Sequence, residues 1–285
     1  MNMPVRKIAG VCGWPIHHSL SPMLHQFWLS KMKINGGYIP FAVHPDEAIA
    51  AFQSLKKMTI SGVNVTAPLK KHAYDAADIH TVQAKSLGVA NCLYKRDDKL
   101  VAHNTDIEGF LAPLRARAQD HFFKTNPAII FGAGGAARAT VGALLNMGVP
   151  EIRICTRRDE QSEQMVSEVN LPNLYMVPWA KRQTGLKTSA LIVNATTAGM
   201  HGRRALDISL KNSRPDALIY DLVYTPIKTP LIKDAEKHNR SYLGGLDMLI
   251  AQARPSFELF FGSVPADEFD PAPLLLQHLE DPHSS

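Results

Sequence analysis

The chain has 285 residues, 45% of them hydrophobic and 20% charged, with a formal net charge of +5 and a pI of about 9.0. That length suits two compact domains, and the composition excludes a disordered chain. The basic excess lies in scattered pairs such as Lys56-Lys57 and Arg203-Arg204, with no basic block or interleaved aromatics, so it favours small anionic ligands and speaks against nucleic acid. Three isolated cysteines, Cys12, Cys92 and Cys155, provide neither a disulfide framework nor a zinc site and suit a reducing cytoplasmic setting. The twelve histidines are dispersed and read as surface or site-rim residues, so no metal is expected. Residues 1–11 lack the apolar core of a signal peptide, and no apolar run is long enough to span a bilayer, so no membrane partner is expected.

Residues 7–11 read as a first strand that runs into the turn Gly13-Trp14-Pro15. Ser21-Pro22 reads as a helix start, with serine as N-cap and proline at the first helical position. Leu24, Phe27, Trp28 and Met32 recur at helical spacing and predict one buried stripe, which Gly36-Gly37 ends. Residues 38–43 are a second strand, 48–58 a second amphipathic helix and 62–65 a third strand; this alternation implies a largely parallel α/β sheet. A second unit begins near Asp106. Residues 128–131 form a bare apolar strand, and a helix from about Ala136 to Met147 follows, closed by Gly148. Further strands at 151–155, 191–194 and 217–221 complete a doubly wound, Rossmann-like pattern. The tail from about Gly245 reads as a helix that Pro255 kinks or splits, residues 265–273 as loop and 280–285 as a frayed end.

Between the strand at 128–131 and its helix stands Gly132-Ala133-Gly134-Gly135-Ala136. Gly132 permits a tight turn, Gly134 lets the backbone approach a pyrophosphate, and Ala136 and Ala137 are small enough for close helix–strand packing at an anion-favouring helix N-terminus. A plain strand-to-helix turn explains the glycines but not this whole context. The next strand ends in Thr156-Arg157-Arg158, where an NAD-binding unit would carry a carboxylate for the ribose hydroxyls. Arginine pairs with a 2′-phosphate, so the cofactor expected is NADP.

Lys70 follows Thr66-Ala67-Pro68, a rigid turn after a strand end, and the carboxyl ends of strands are where ligands bind in open α/β sheets. A lysine close to Asp106 can exchange a proton with a substrate hydroxyl. Asp106 can equally cap the helix that begins near Ile107.

The phrases Ser19-Leu20-Ser21-Pro22, Asn64-Val65-Thr66 through Lys70, Ala90-Asn91, Asn104-Thr105-Asp106, Gly132 to Ala136, Asn194-Ala195-Thr196-Thr197-Ala198-Gly199-Met200 and Met248-Leu249-Ile250-Ala251-Gln252 occur in this order. In these phrases the chain resembles the shikimate dehydrogenase (NADP-dependent) family along nearly its whole length. The resemblance implies an enzyme that reversibly reduces 3-dehydroshikimate to shikimate with NADPH, on the route to chorismate and the aromatic amino acids. It implies Lys70 and Asp106 as the acid/base pair. Ser19 and Ser21 would hold the substrate carboxylate with Tyr224 nearby, and Thr66, Asn91, Asp106 and Gln252 the ring hydroxyls. Thr156, Arg157, Arg158, Thr196, Leu222 and Gly245 would join the glycine phrase at the cofactor. Implied too are a substrate domain of residues 1–105 with 245–285, whose C-terminal helix returns to it, an NADP domain of residues 106–244, a site in the cleft between them, and a monomer or homodimer. Three departures from the family pattern bear on substrate preference and rate: Cys92 where threonine is common, Ile107-Glu108 after the Asn-Thr-Asp phrase, and Asp247 where glycine is common. The competing readings are an NAD-using quinate/shikimate dehydrogenase and a non-catalytic ligand sensor; the arginines speak against the first, and the retained Lys70 and Asp106 against the second.

Overall fold

In the computed structural model, which describes residues 6–117 and 120–281, the chain divides into one unit of residues 1–109 with 249–285 and a second of residues 110–248. Residues 1–5 and 282–285, the latter most of the expected frayed end, lie outside the described residues.

The first unit opens with β1 (Lys7–Gly13), α1 (Ser21–Lys31), β2 (Gly36–Ala42), α2 (Ala48–Ser54), β3 (Gly62–Val65) and α3 (Lys70–Ala76). It continues with β4 (Ile79–His80), α4 (Val82–Leu87), β5 (Cys92–Arg96) and β6 (Lys99–His103). The sheet order is β2-β1-β3-β5-β6-β4. β1 pairs in parallel with β2 and β3, and β4 with β6, while β5 runs antiparallel to both β3 and β6. The strand–helix alternation predicts no such hairpin. Its turn is Asp97-Asp98, with Asp97 in the left-handed region at φ 54°, a conformation aspartate tolerates and tight hairpins need. Phe52, Val63, Leu69, Leu93 and Leu100 are fully buried in one core cluster of this unit.

Helix α1 departs from its expected start. The backbone is already helical at Leu20, so Ser21 lies inside the helix and makes no cap; its N–H donates instead to Ser19 Oγ at 3.3 Å. The buried face is Ser21, Leu24, His25, Trp28 and Leu29, with Phe27 and Met32 only half-buried. Gly36 and Gly37 do not end the helix but open β2. The second helix is also shorter than expected: α2 stops at Ser54, and a single 3-10 turn, Leu55–Lys57, follows.

The chain then forms α5 (Asp106–Arg117), α6 (Asp120–Lys124), β7 (Ala128–Phe131), α7 (Gly135–Met147), β8 (Ile152–Cys155), α8 (Asp159–Val169) and β9 (Leu174–Met176). Next come α9 (Arg182–Thr188), β10 (Leu191–Asn194), β11 (Leu218–Asp221), α10 (Pro230–Lys237), β12 (Ser241–Leu243), α11 (Gly245–Phe261) and α12 (Ala272–Glu280). The second unit's sheet, β12-β11-β10-β7-β8-β9, is parallel throughout. Its order reverses between β7 and β10, the switch point at which doubly wound sheets bind ligands beyond the strand ends. Helix α7 closes on Gly148, left-handed at φ 77°.

Pro255 does not split α11, which runs unbroken through it. The turn around it stays bonded through the Ser256 hydroxyl, 3.0 Å from Ala253 O. The expected loop at 265–273 is cut short, since α12 starts at Ala272, whose N–H is taken by Asp270 Oδ1 at 2.9 Å. Among the described residues no helix is long and apolar enough to cross a membrane.

Candidate active site

Residues 66–69 turn the chain from the end of β3 into α3, with the Leu69 N–H donating to Thr66 O at 2.9 Å. Lys70 is the first residue of α3, and its carbonyl accepts the Ala90 N–H at 3.0 Å, which ties the helix start to the segment ahead of β5. Helix α5 begins at Asp106 itself. Asn104 Oδ1 takes the Asp106 N–H at 2.9 Å, so Asn104 does the local capping and the Asp106 carboxylate is left for other partners. Those partners are Lys70 Nζ, 2.6 Å from Oδ2, and Asn91 Nδ2, 2.8 Å from Oδ1. The Lys70 and Asp106 side chains keep only 17% and 7% of their surface exposed, so this ion pair is largely screened from water.

Asn91 is the hub of the group. Its Nδ2 also reaches Thr105 Oγ1 at 2.9 Å, and its Oδ1 accepts the Thr105 N–H at 2.8 Å. Gln252 Oε1 lies 3.3 Å from Thr105 Oγ1 and 3.5 Å from Asn91 Nδ2, while its own Nε2 donates to Leu249 O at 2.9 Å. Gly109 makes that approach of α11 to α5 possible. A Cβ there would stand 2.5 Å from Gln252 Cβ and 3.0 Å from its Cα and N.

Behind Asn91 lies a second buried string. Tyr38 Oη donates to Asn64 Oδ1 at 2.7 Å, and Asn64 Nδ2 donates to Asn91 O at 3.3 Å. Tyr38 stacks on His25, with ring centroids 3.9 Å apart and planes 5° from parallel. His25 is a correction to the surface reading of the histidines: it is fully buried, and burial pulls its imidazole down to about 3, leaving the ring neutral. Ser19 and Thr66 are half-buried and Ser21 is buried, at the entry to α1 and the exit of β3. Sequence reasoning passes over Tyr38, Asn64 and Thr105 as site residues; the last two stand inside phrases already singled out, whereas Tyr38 carries no local signal.

The second unit holds the glycine phrase. Gly132 adopts φ 117°, and a Cβ there would meet Ala195 O at 2.8 Å, so glycine is required on both counts. A Cβ at Gly134 would meet nothing within 4 Å, so the backbone in front of α7 is open. Ala137 and Ala139 are fully buried against the sheet. Thr156 is buried, with its hydroxyl donating to Arg158 O at 2.5 Å or shared with Ser162 Oγ at 2.7 Å, whereas Arg157 and Arg158 are exposed. The Asp159 carboxylate takes the Trp179 N–H at 2.8 Å, so it is held by the start of the next helical turn. The Thr196 hydroxyl donates to Asn194 Oδ1 at 2.7 Å and accepts the Ala198 N–H at 3.0 Å. Gly245 packs on the Leu222 backbone, where a Cβ would stand 2.3 Å from Leu222 O. Tyr224 is half-buried in this unit; the other expected substrate residues belong to the first.

Of the departures, Cys92 is fully buried at the start of β5 and burial pushes its thiol far above the usual range, so it is an inert packing residue. Ile107 is buried in the first turn of α5. Asp247 is exposed in the first turn of α11, where the helix dipole favours a carboxylate. Among the described residues no three His, Cys, Asp or Glu gather as metal ligands.

Comparison with known proteins follows the same lines. The profile of the shikimate dehydrogenase substrate binding domain matches residues 11–93. The shikimate dehydrogenase (NADP(+)) of Paracoccus denitrificans is 40% identical over 264 residues, covering 92% of this chain and 93% of that protein. That of Rhodospirillum rubrum is 39% identical over 264 residues, covering 91% and 93%. The crystal structure of shikimate 5-dehydrogenase from Thermus thermophilus in complex with NADP(H) and shikimate superposes with a TM-score of 0.80 at 29% identity, covering 92% of this chain and 96% of that one. With two-fifths identity sustained over nine-tenths of its length, the chain belongs to the shikimate dehydrogenase family.

Proposed function

We propose that this protein is an NADP-dependent oxidoreductase that reversibly reduces 3-dehydroshikimate to shikimate, in the biosynthesis of chorismate and the aromatic amino acids. The observation that carries this reading is the 2.6 Å contact of Lys70 Nζ with Asp106 Oδ2, set among the neutral hydrogen-bonding groups of Asn91, Thr105 and Gln252. A small polyhydroxylated acid needs many neutral partners and one proton-exchanging group, and this set supplies both kinds.

The chain's own residues fit the cofactor. Gly132 and Gly134 keep side chains away from the turn ahead of α7, and the helix N-terminus offers free N–H groups to a pyrophosphate. Exposed Arg157 and Arg158 suit a 2′-phosphate, while Asp159, the nearest carboxylate that would favour ribose hydroxyls, is already bonded to Trp179. When bound, NADPH supplies a hydride to the ketone carbon. The ketone oxygen then needs one proton. In this reading Lys70 Nζ gives it, with Asp106 holding the ammonium in place, and the pair takes it back from the hydroxyl in the reverse direction. Asn91 orients Asp106 and, with Thr66 and Gln252, holds the ring hydroxyls; Ser19 and Ser21 hold the carboxylate. Residues 1–105 with 245–285 act as the substrate domain and 106–244 as the nucleotide domain. The protein works in the cytoplasm as a monomer or homodimer.

The test is loss of NADPH absorbance on adding 3-dehydroshikimate, run beside NADH. Rapid turnover with NADPH and slow turnover with NADH is the expected result. Faster turnover with NADH would overturn the cofactor assignment, and binding without turnover would make the protein a sensor.

A further inference from the structure

Asn194 ends β10 and Asp221 ends β11, and the two are register partners across the parallel ladder. Both are completely buried. The Asn194 amide is saturated: Nδ2 donates to Asp221 Oδ1 at 2.9 Å and to Ala198 O at 3.0 Å, while Oδ1 accepts the Thr196 N–H at 3.2 Å and the Thr196 hydroxyl at 2.7 Å. Asp221 Oδ1 also accepts the Val223 N–H at 3.1 Å, and Oδ2 accepts the Thr229 hydroxyl at 2.6 Å. Thr229 in turn takes the Ile232 N–H at 3.2 Å and opens α10. The groups facing the carboxylate are therefore Asn194, Val223 and Thr229, none of which titrates. The two nearest cations along the chain are paired elsewhere: Arg214 with Asp216 at 2.6 Å, and exposed Lys228 with Glu236 at 2.8 Å. Burial lifts the Asp221 carboxyl to about 6, against the pull of its three donors, so at neutral pH the fold retains an anion that burial disfavours. A buried, saturated network of this kind specifies one geometry for the loops it joins.

We propose that Asn194 and Asp221 are positioning residues of the nucleotide site: the Asp221 anion fixes which way the Asn194 amide faces, the amide sets the 195–198 turn that carries Thr196, and the same carboxylate sets the Leu222–Val223 turn. This rests on the reading of the second unit as NADP-binding and goes beyond it by naming what orders the loops after β10 and β11. Because the Thr196 hydroxyl proton is spent on Asn194, that turn offers a nucleotide its backbone and methyl group. The pair touches no reacting atom.

The amide and the carboxylate have complementary roles, so exchanging them is the sharpest test. NADP+ and shikimate binding are measured by calorimetry at pH 8, and amide hydrogen exchange at Thr196, Ala198 and Val223 is followed in the protein without ligand. Asn194→Asp sets two carboxylates against each other and removes both donors. It should weaken NADP+ binding by roughly tenfold or more and speed exchange at those three amides, with shikimate binding unchanged. The double variant Asn194→Asp/Asp221→Asn restores one donor facing one carboxylate and should recover part of the loss in NADP+ binding, while Val223, whose N–H shares Asp221 Oδ1 with Asn194 and would then face an amide nitrogen, stays fast to exchange. Should Asn194→Asp fail to fold, Thr229→Val takes its place, with Thr229→Ser as the variant that keeps the hydroxyl and restores binding. Unchanged NADP+ binding in the single variants, equal losses for NADP+ and shikimate, or no recovery in the exchanged double would overturn the proposal. Absence of NADP+ binding by the unsubstituted protein would instead fell the nucleotide reading itself, and the proposal with it.

Discussion

Among the described residues each unit buries one aspartate, and the partners differ. Asp106 faces an ammonium at 2.6 Å and an amide at 2.8 Å. Asp221 faces an amide, a hydroxyl and a backbone N–H, with no cation bonded to it among the described residues. A carboxylate beside a lysine shares in a group that can give up and regain a proton. A carboxylate held only by neutral donors has nothing to exchange with at neutral pH and serves to orient what it touches. The contrast separates the proposed chemical centre of the first unit, built from side chains, from the loops of the second, built from backbone shape and one buried carboxylate.

Removing the ammonium breaks the contrast most severely. Lys70→Ala should lower kcat by about a hundredfold or more, the usual effect of losing a general acid or base, with shikimate binding changed much less. Steady-state kinetics with a separate shikimate titration check this. If kcat and binding fall together, Lys70 is a binding residue and Asp106 becomes as purely orienting as Asp221.

Moving Gln252 without altering any polar group is the next largest perturbation. A methyl at Gly109 would overlap Gln252 Cβ at 2.5 Å, so Gly109→Ala should push α11 away from Asn91 and Thr105. A shift of a few tenths of an ångström is enough to lose the 3.3 and 3.5 Å contacts of Gln252 Oε1. The expected result is a rise of roughly tenfold in KM for shikimate, KM for NADPH unchanged and a smaller fall in kcat. Equal changes in both KM values would show that the glycine serves folding alone.

Sequence reading reaches the parts of this molecule that are local. The strands expected at 128–131 and 191–194 fall on β7 and β10, because an apolar run bounded by glycine or polar residues needs no knowledge of its partners. The phrases around Lys70 and Asp106 are visible for the same reason: polar residues crowd at strand ends. The β5–β6 hairpin escapes because Asp97 takes a left-handed turn usually supplied by glycine or asparagine. The false N-cap at Ser21 arises because Leu20 is already helical, a choice made by the preceding turn in which the Ser19 N–H bonds Ile16 O at 3.0 Å. The partners of Asn91, the fit of Gly109 to Gln252 and the Asn194–Asp221 pair are invisible in one dimension, since each joins segments that meet only in the packed fold.

The smallest expected effect distinguishes the two aspartates by stability. Asp221 has its folded pKa raised from 3.8 to about 6, chiefly by burial. The folded state therefore binds a proton more readily than the unfolded chain, and the resulting stabilisation is full below 3.8 and fades as pH rises through 6. Between pH 7 and pH 5 the native protein should gain roughly 1 kcal/mol relative to Asp221→Asn, which has no such proton to take up. Denaturant unfolding of both proteins at the two pH values reads this difference directly, and subtracting the variant removes every other titrating group from the comparison. A native protein that instead loses stability relative to the variant on acidification would mean that the Asp221 anion is favoured by the fold. Its three neutral donors would then outweigh its burial.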